Sequence, residues 1–293
     1  MIPVADNERL QLYTTVEIEQ GSGSPPLRSN RSSLWKLIDD KWKMVFHQGT
    51  RCAAGVFTQS RGETSCRRDA LKAVIFDMDG ILIDSEPLHG RADLALLKRL
   101  GVSVEGGYLD KFVGVSDREM WHELIGEFNI TLSVDEILEE QIEAKLQLLG
   151  ESSLGAIDGI FDLITTLRKE SIPMAVASSS SKRFIGAVLK KIAIDDFISV
   201  RISGEDVKIS KPEPDIFLKA AETLGVSPEE CIVIEDSKNG VIAAKRAGMC
   251  CIGYRNPNSG SQDLSQAQII VGTIREITLT QMSRLHESFR GTI

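Results

Sequence analysis

No run of apolar residues in this sequence approaches the ~20 needed to cross a bilayer, so a membrane-bound role is not expected. The N-terminus, MIPVADNERLQ, lacks the basic-then-apolar order of a secretory signal, and a cytoplasmic location is the expectation. Cysteine is scarce. Cys52, Cys66, Cys231, Cys250 and Cys251 make an odd count of five, with two adjacent. No ligand spacing joins them, so reduced thiols fit better than disulfides or a zinc site. Positive charge is in deficit: 34 Lys+Arg stand against 42 Asp+Glu, for a net charge of -8. Such a chain repels phosphate backbones at long range, which argues against nucleic acid as a partner. Repeats and low-complexity tracts are missing as well.

What remains is ordinary globular composition, 42% hydrophobic and 26% charged over 293 residues. That excludes wholesale disorder, collagen and coiled coil, and it accommodates one large or two smaller domains. Residues 1–50 read as β-structure. Leu10–Glu19 is strand-like, GSGSPP at 21–26 is a turn, and Ser32–Ile38 and Trp42–His47 flank Asp39-Asp40 as a hairpin. Residues 51–70 have no period and read as a linker, in which Arg67-Arg68 is solvated charge.

From Leu71 onward short apolar runs alternate with helical periods. The runs are Ala73–Phe76, Met174–Ala177, Ile232–Ile234 and Cys250–Gly253; the helices include 182–192, 214–224 and 238–247. This alternation predicts an α/β fold, a doubly wound parallel sheet with helices on both faces. Between the first two runs lie three further helical segments, 87–100, 116–128 and 133–149, the last opened by a Ser133/Glu136 capping box. The stretch is too long for a crossover and reads as an inserted helical subdomain, 87–155, within a core of 71–86 and 156–280.

In a doubly wound sheet ligands bind beyond the carboxyl ends of the strands. Here every such end carries polar groups: Asp77-Met78-Asp79-Gly80, Ser178-Ser179 and Glu235-Asp236, with Lys211-Pro212 nearby in order. Asp77, Asp79, Glu235 and Asp236 concentrate negative charge, which a hard cation such as Mg²⁺ would relieve. Lys211 would neutralise more, while the Ser178 hydroxyl and neighbouring N–H groups could hold phosphate oxygens. One carboxylate could attack phosphorus, and a second could protonate the leaving oxygen and then activate water.

FDMDGILIDSEP (76–87), VASSS (176–180), SKPEPDIF (210–217) and VIEDSKNGVIAAKRAGM (233–249) resemble the four motifs of the haloacid dehalogenase-like hydrolases. The likeness is strongest to the branch holding β-phosphoglucomutase and sugar-phosphate phosphatases. It implies Asp77 as nucleophile and Asp79 as general acid/base, with the Asp79 backbone carbonyl as a metal ligand. Ser178 would bind the phosphoryl group, with Gly80 and Ser179 beside it. Lys211 would stabilise nucleophile and phosphate. Asp236 would ligate Mg²⁺, with Glu235 in or beside its shell. The insert would be a mobile cap, with His89 at its hinge assisting closure and proton transfer. Asp79 argues against true dehalogenation and phosphonate hydrolysis, whose enzymes lack it.

Phosphatase and phosphosugar mutase both survive that test. The mutase holds a second phosphate with an Arg after a Gly-Val-Ser stretch; here Gly114-Val115-Ser116 is followed by Asp117, and Arg118 comes one place later. An Asp there repels phosphate, so the phosphatase is favoured, acting on a small-molecule ester as a monomer or dimer, with Arg118 as the remaining cap contact. Residues 12–50 are similar to the final strands of SnoaL-like domains, without the rest of that cone. The N-terminal strands keep a different class open, a non-catalytic assembly or binding protein.

Overall fold

The computed structural model describes residues 71–105, 107–112 and 115–291; of residues 1–70 it describes the backbone of four strands, and nothing of their side chains. The chain divides into two compact units, Met1–Thr64 and Ser65–Ile293. The first holds β1 (Ile2–Ala5), β2 (Glu8–Glu17), β3 (Leu27–Ile38) and β4 (Lys41–Arg51), an antiparallel sheet in chain order. The expected hairpin is present, paired from Ile38↔Lys41 to Ser29↔Arg51 with a register shift between Leu34 and Trp35. The segments 21–26, Asp39-Asp40 and 52–70, with Cys52, Cys66 and Arg67-Arg68, lie outside the described residues, as does Gly114.

The second unit is a six-stranded sheet in the order β10-β9-β8-β5-β6-β7. Its strands are β5 (Ala73–Phe76), β6 (Met174–Ser178), β7 (Val200–Ser203), β8 (Cys231–Glu235), β9 (Cys250–Tyr254) and β10 (Ile269–Val271). All pairings are parallel. The continuous apolar runs follow from burial on both faces. Val74, Phe76, Val176 and Ile232 belong to one core layer, while Ala73, Ile75, Ala175 and Val233 belong to the other. The first layer is covered by α4 (Ile160–Lys169), α5 (Lys182–Lys191) and α8 (Leu279–Arg290), through Leu163, Phe184 and Met282. The second is covered by α6 (Asp215–Leu224) and α7 (Lys238–Arg246), through Phe217 and Val241. Helix α8 carries the core past residue 280, the boundary expected from sequence. Burial holds Cys231, Cys250 and Cys251 as free thiols, those of Cys231 and Cys250 pushed up to about 12.

Helices α1 (Glu86–Arg99), α2 (Asp117–Phe128) and α3 (Val134–Glu151) follow β5. They enclose a core of their own around Leu97, Phe112, Trp121, Leu124 and Ile137. The Ser133/Glu136 capping box starts α3, satisfying two N-terminal N–H groups reciprocally. Leu88 of α1 and Ile142 of α3 join the sheet's first layer, which seats the helices on the core. Arg183 of α5 adds ion pairs to Glu139 and Glu143 of α3, at 3.0 and 2.6 Å. Among the described residues no helix is long and apolar enough to cross a membrane.

Candidate active site

Strand β5 lies between β8 and β6, so the chain departs to one side of it and later returns to the other. That is the switch point at which an open α/β sheet leaves a crevice. Asp77 leaves β5 with its N–H still on Ile234 O, 3.0 Å. A tight turn follows. Gly80, at φ +82°, sits where a Cβ would meet the Asp236 carboxylate and Ser259 Oγ, so only glycine fits. Gly80 N–H donates to Ile83 O at 2.8 Å and thus shapes the turn. Gly240 has the same character: its Cβ would fall on the Glu235 carboxylate.

Lys211 is the electrostatic centre. Its ammonium, 5% exposed, donates to Asp77 Oδ1 at 2.5 Å, Glu235 Oε1 at 2.7 Å and Ala177 O at 3.2 Å. Glu235 Oε2 accepts from Ser237 N–H and Oγ at 2.8 and 3.0 Å, so both oxygens are engaged. Asp236 accepts from the Ser259 hydroxyl. Asp77, Glu235 and Asp236 are buried, with ligand oxygens within 4.8 Å of one another. Burial, then Glu235 and Asp79, push Asp77 well above the usual carboxylate range against the pull of Lys211. Burial, Glu235 and Asp77 do the same to Asp236. Burial opposes the charge of Lys211, but Asp77 and Glu235 raise it further above its ordinary value. A buried set of hard oxygens with more negative charge than one ammonium offsets is a set that fits a divalent hard cation.

Asp79 points elsewhere. Its Oδ1 accepts from Ser85 Oγ at 2.5 Å and pairs with His89 Nε2 at 2.8 Å. Its Oδ2 accepts from Ser180 Oγ at 2.8 Å and Ser178 Oγ at 3.1 Å. Burial resists ionisation, yet His89, Ser85 and Ser180 hold Asp79 well below the usual range. Burial and Lys145 disfavour the His89 cation, but Asp79 and Asp117 lift it above the ordinary histidine value. Both shifts favour an Asp79 carboxylate facing a histidine cation.

A cleft of about 350 Å³ joins these groups and is lined by Asp77, Asp79, His89, Ser179, Ser180, Lys211, Glu235 and Asp236. That volume suits a small metabolite. The structure brings together all the sequence-predicted residues except Arg118, whose side chain is 63% exposed and pairs with Asp135 at 2.7 Å. Ser178 is fully buried beneath Asp79. Ser180 and Ser259, which orient carboxylates, were not expected from the sequence; Ser85, expected at the working edge, also orients a carboxylate, and Asn256, at a strand end that could equally line the site or form a loop, donates to Gly80 O at 2.9 Å. Nor was the contact between Asp117 and Lys145 expected. Ser180 stands inside the motif VASSS, so its placement was a findable signal, and Asn256 follows the end of β9; Ser259 carried none.

Carboxylates, a buried lysine and hydroxyls gathered at adjacent strand ends define an enzyme of the α/β class that works at its sheet's carboxyl edge. Residues 74–254 match the family model of the haloacid dehalogenase-like hydrolases, and the chain belongs to that family. It is 30% identical over 206 residues to validoxylamine A 7'-phosphate phosphatase of Streptomyces hygroscopicus subsp. limoneus, spanning 70% of this chain and 95% of that protein. It is 30% identical over 227 residues to beta-phosphoglucomutase of Bacillus subtilis, spanning 75% and 97%. CbbY from Rhodobacter sphaeroides, solved in complex with phosphate, superposes with a TM-score of 0.66 at 27% identity, spanning 70% of this chain and 96% of that one. The family match starts at residue 74 and gives no support to the SnoaL-like reading of 12–50.

Proposed function

We propose that the chain is a Mg²⁺-dependent phosphatase that hydrolyses a small phosphomonoester, a sugar phosphate or similar metabolite, through an aspartyl-phosphate on Asp77. One observation carries this reading. Asp77 and Asp79 are given opposite surroundings: the first faces a buried ammonium, the second four proton-bearing groups that include His89. Two carboxyl groups so separated divide into nucleophile and acid/base.

An Asp77 oxygen forms a bond to phosphorus as the bond from phosphorus to the leaving oxygen breaks. Lys211 steers that carboxylate and offsets its charge. The departing oxygen takes the proton held by the Asp79–His89 pair. Asp79 then accepts a proton from water, whose oxygen attacks phosphorus; phosphate leaves, Asp77 is restored, and the pair has its proton back. Ser179 and Ser180, which line the cleft, hold phosphoryl oxygens, and Ser178, buried beneath Asp79, reaches them only if its hydroxyl turns from that carboxylate. Asp77, Asp236 and the Asp79 carbonyl would hold Mg²⁺, with Glu235 behind them fixing Lys211. When bound, the ion supplies positive charge that lets a carboxylate meet a phosphate dianion. The helices within 87–155 act as the cap, and their closure expels water and strengthens every charge interaction beneath.

A panel of metabolite phosphates is expected to yield inorganic phosphate with Mg²⁺ and none after chelation. Inertness across the panel would count for the assembly role of the N-terminal strands. Interconversion of glucose phosphate isomers with little free phosphate would count for the mutase. Residues 1–70 are dispensable in this scheme, because every proposed site residue lies in the second unit. A chain starting at Arg68 should therefore keep its turnover, and a large loss would refute that.

A further inference from the structure

The cap side of the cleft holds a second ion pair. Lys145 Nζ, on a side chain 3% exposed, donates to both oxygens of Asp117 at 2.9 and 2.8 Å. Gln141 donates to Asp117 at 3.2 Å and to Asp93 at 2.6 Å, tying the pair into a buried network. Asp117, Lys145 and Asp93 line the same cleft as Asp77 and Asp236. Lys145 is the one base of the acidic α3 segment EILEEQIEAKLQ. Its charge is already spent.

We infer that the Asp117–Lys145 pair selects the substrate at its leaving-group end, admitting an uncharged, hydroxyl-bearing group and turning away a second phosphate or a carboxylate. This rests on the phosphatase reading and sharpens it. The charges add up to exclusion. Asp117 neutralises Lys145, Asp93 and Glu86 add no cation, and Arg118 and Arg183, which line the adjoining cavity with Asp117 and Lys145, are paired with Asp135 and with Glu139 and Glu143. Burial opposes the ionisation of Asp117, yet Lys145 and His89 hold it below the usual carboxylate range, so it stays an anion. An incoming second anion would be stripped of water against that carboxylate, and a like-charge contact of this kind disfavours binding. A hydroxyl group meets no such barrier. An ammonium has three N–H donors, two of which Asp117 takes, leaving one for a hydroxyl oxygen. Leu109, Phe112, Val115 and Met120 form an apolar wall to the same cleft. An apolar wall with a neutral polar network suits a polyol or sugar, which has C–H surfaces and hydroxyl edges.

The test compares kcat/KM for a hexitol monophosphate, the matching hexose bisphosphate and phosphogluconate, all with Mg²⁺. The wild type should prefer the monophosphate by at least about 30-fold over both doubly anionic esters. Asp117→Asn, which keeps the shape and frees the Lys145 charge, should shrink that ratio at least about tenfold by raising turnover of the bisphosphate. Lys145→Met should lower turnover of the monophosphate without any gain for the bisphosphate. Equal use of all three esters by the wild type would overturn the inference and leave the phosphatase reading standing. Hydrolysis of none would overturn both. The wild-type comparison decides the matter even if a variant fails to fold.

Discussion

Replacing Asp77 by Asn should abolish phosphate release, a loss on the order of 10⁴-fold or more, as expected when a covalent nucleophile is removed. The amide fills the same space but cannot attack phosphorus. The same change should leave the protein folded and make its metal-free stability less dependent on pH. Burial, with Glu235 and Asp79, already raises Asp77 well above the carboxylate range, so its ionised form is disfavoured in the folded state. The folded chain holds that proton more firmly than the unfolded chain does. Metal-free stability therefore falls as pH climbs past the ordinary carboxylate value, and the neutral amide removes this contribution. Rapid acid quenching of the wild type during turnover, followed by peptide mass analysis, should place a phosphoryl group on the peptide containing Asp77. Retained turnover in Asp77→Asn would end the covalent scheme.

The second large effect belongs to Lys211. Lys211→Met removes the ammonium that Asp77 and Glu235 share and leaves both carboxylates buried without a counter-charge. Breaking a buried pair in this way costs about 3–5 kcal/mol. For a unit of this size that is on the order of 10 °C in Tm. The pH dependence has a definite sign. Lys211 has a raised value in the folded state, so its contribution is fully present below the ordinary lysine value and is lost only as pH rises through the raised one. Above the ordinary carboxylate value and well below the lysine range, the change in the variant comes from Asp77 and Asp236, both raised by burial and by neighbouring carboxylates. Protonating them relieves the unpaired charge, so the Tm deficit should be smaller at acid pH and larger at alkaline pH. Mg²⁺ should narrow it by binding the same oxygens. A deficit that grows on acidification would contradict this account. Phosphate release should be lost as well, because Asp77 no longer has a group to aim it.

Much of this site could be read in advance, for a local reason. In a parallel sheet the residues just past each strand face one edge, so short apolar runs ending in Asp77, Ser178 and Glu235 already say which groups meet. Strands buried on both faces are easy to find as unbroken apolar runs. The edge strand β7 is less buried at Val200 and Arg201 and gives a fainter signal. Contacts made across long separations left no mark. Lys145 and Asp117 stand 28 residues apart on different helices, and only the packing of α2 against α3 brings them together. The donors holding Asp79 lie as far as 101 residues away. Arg118 shows the opposite error: spacing alone placed it near substrate, but one position along a helix turns a side chain through about 100°, and it faces Asp135 instead.

Gly80 and Gly240 contribute no functional group, yet they limit how this chemistry could be moved to another scaffold. A methyl group at either position would claim volume that Asp236 or Glu235 occupies. A designer who copied the four acids and the lysine onto a different backbone would also have to transplant these two vacancies. Without them the charged groups would have nowhere to stand.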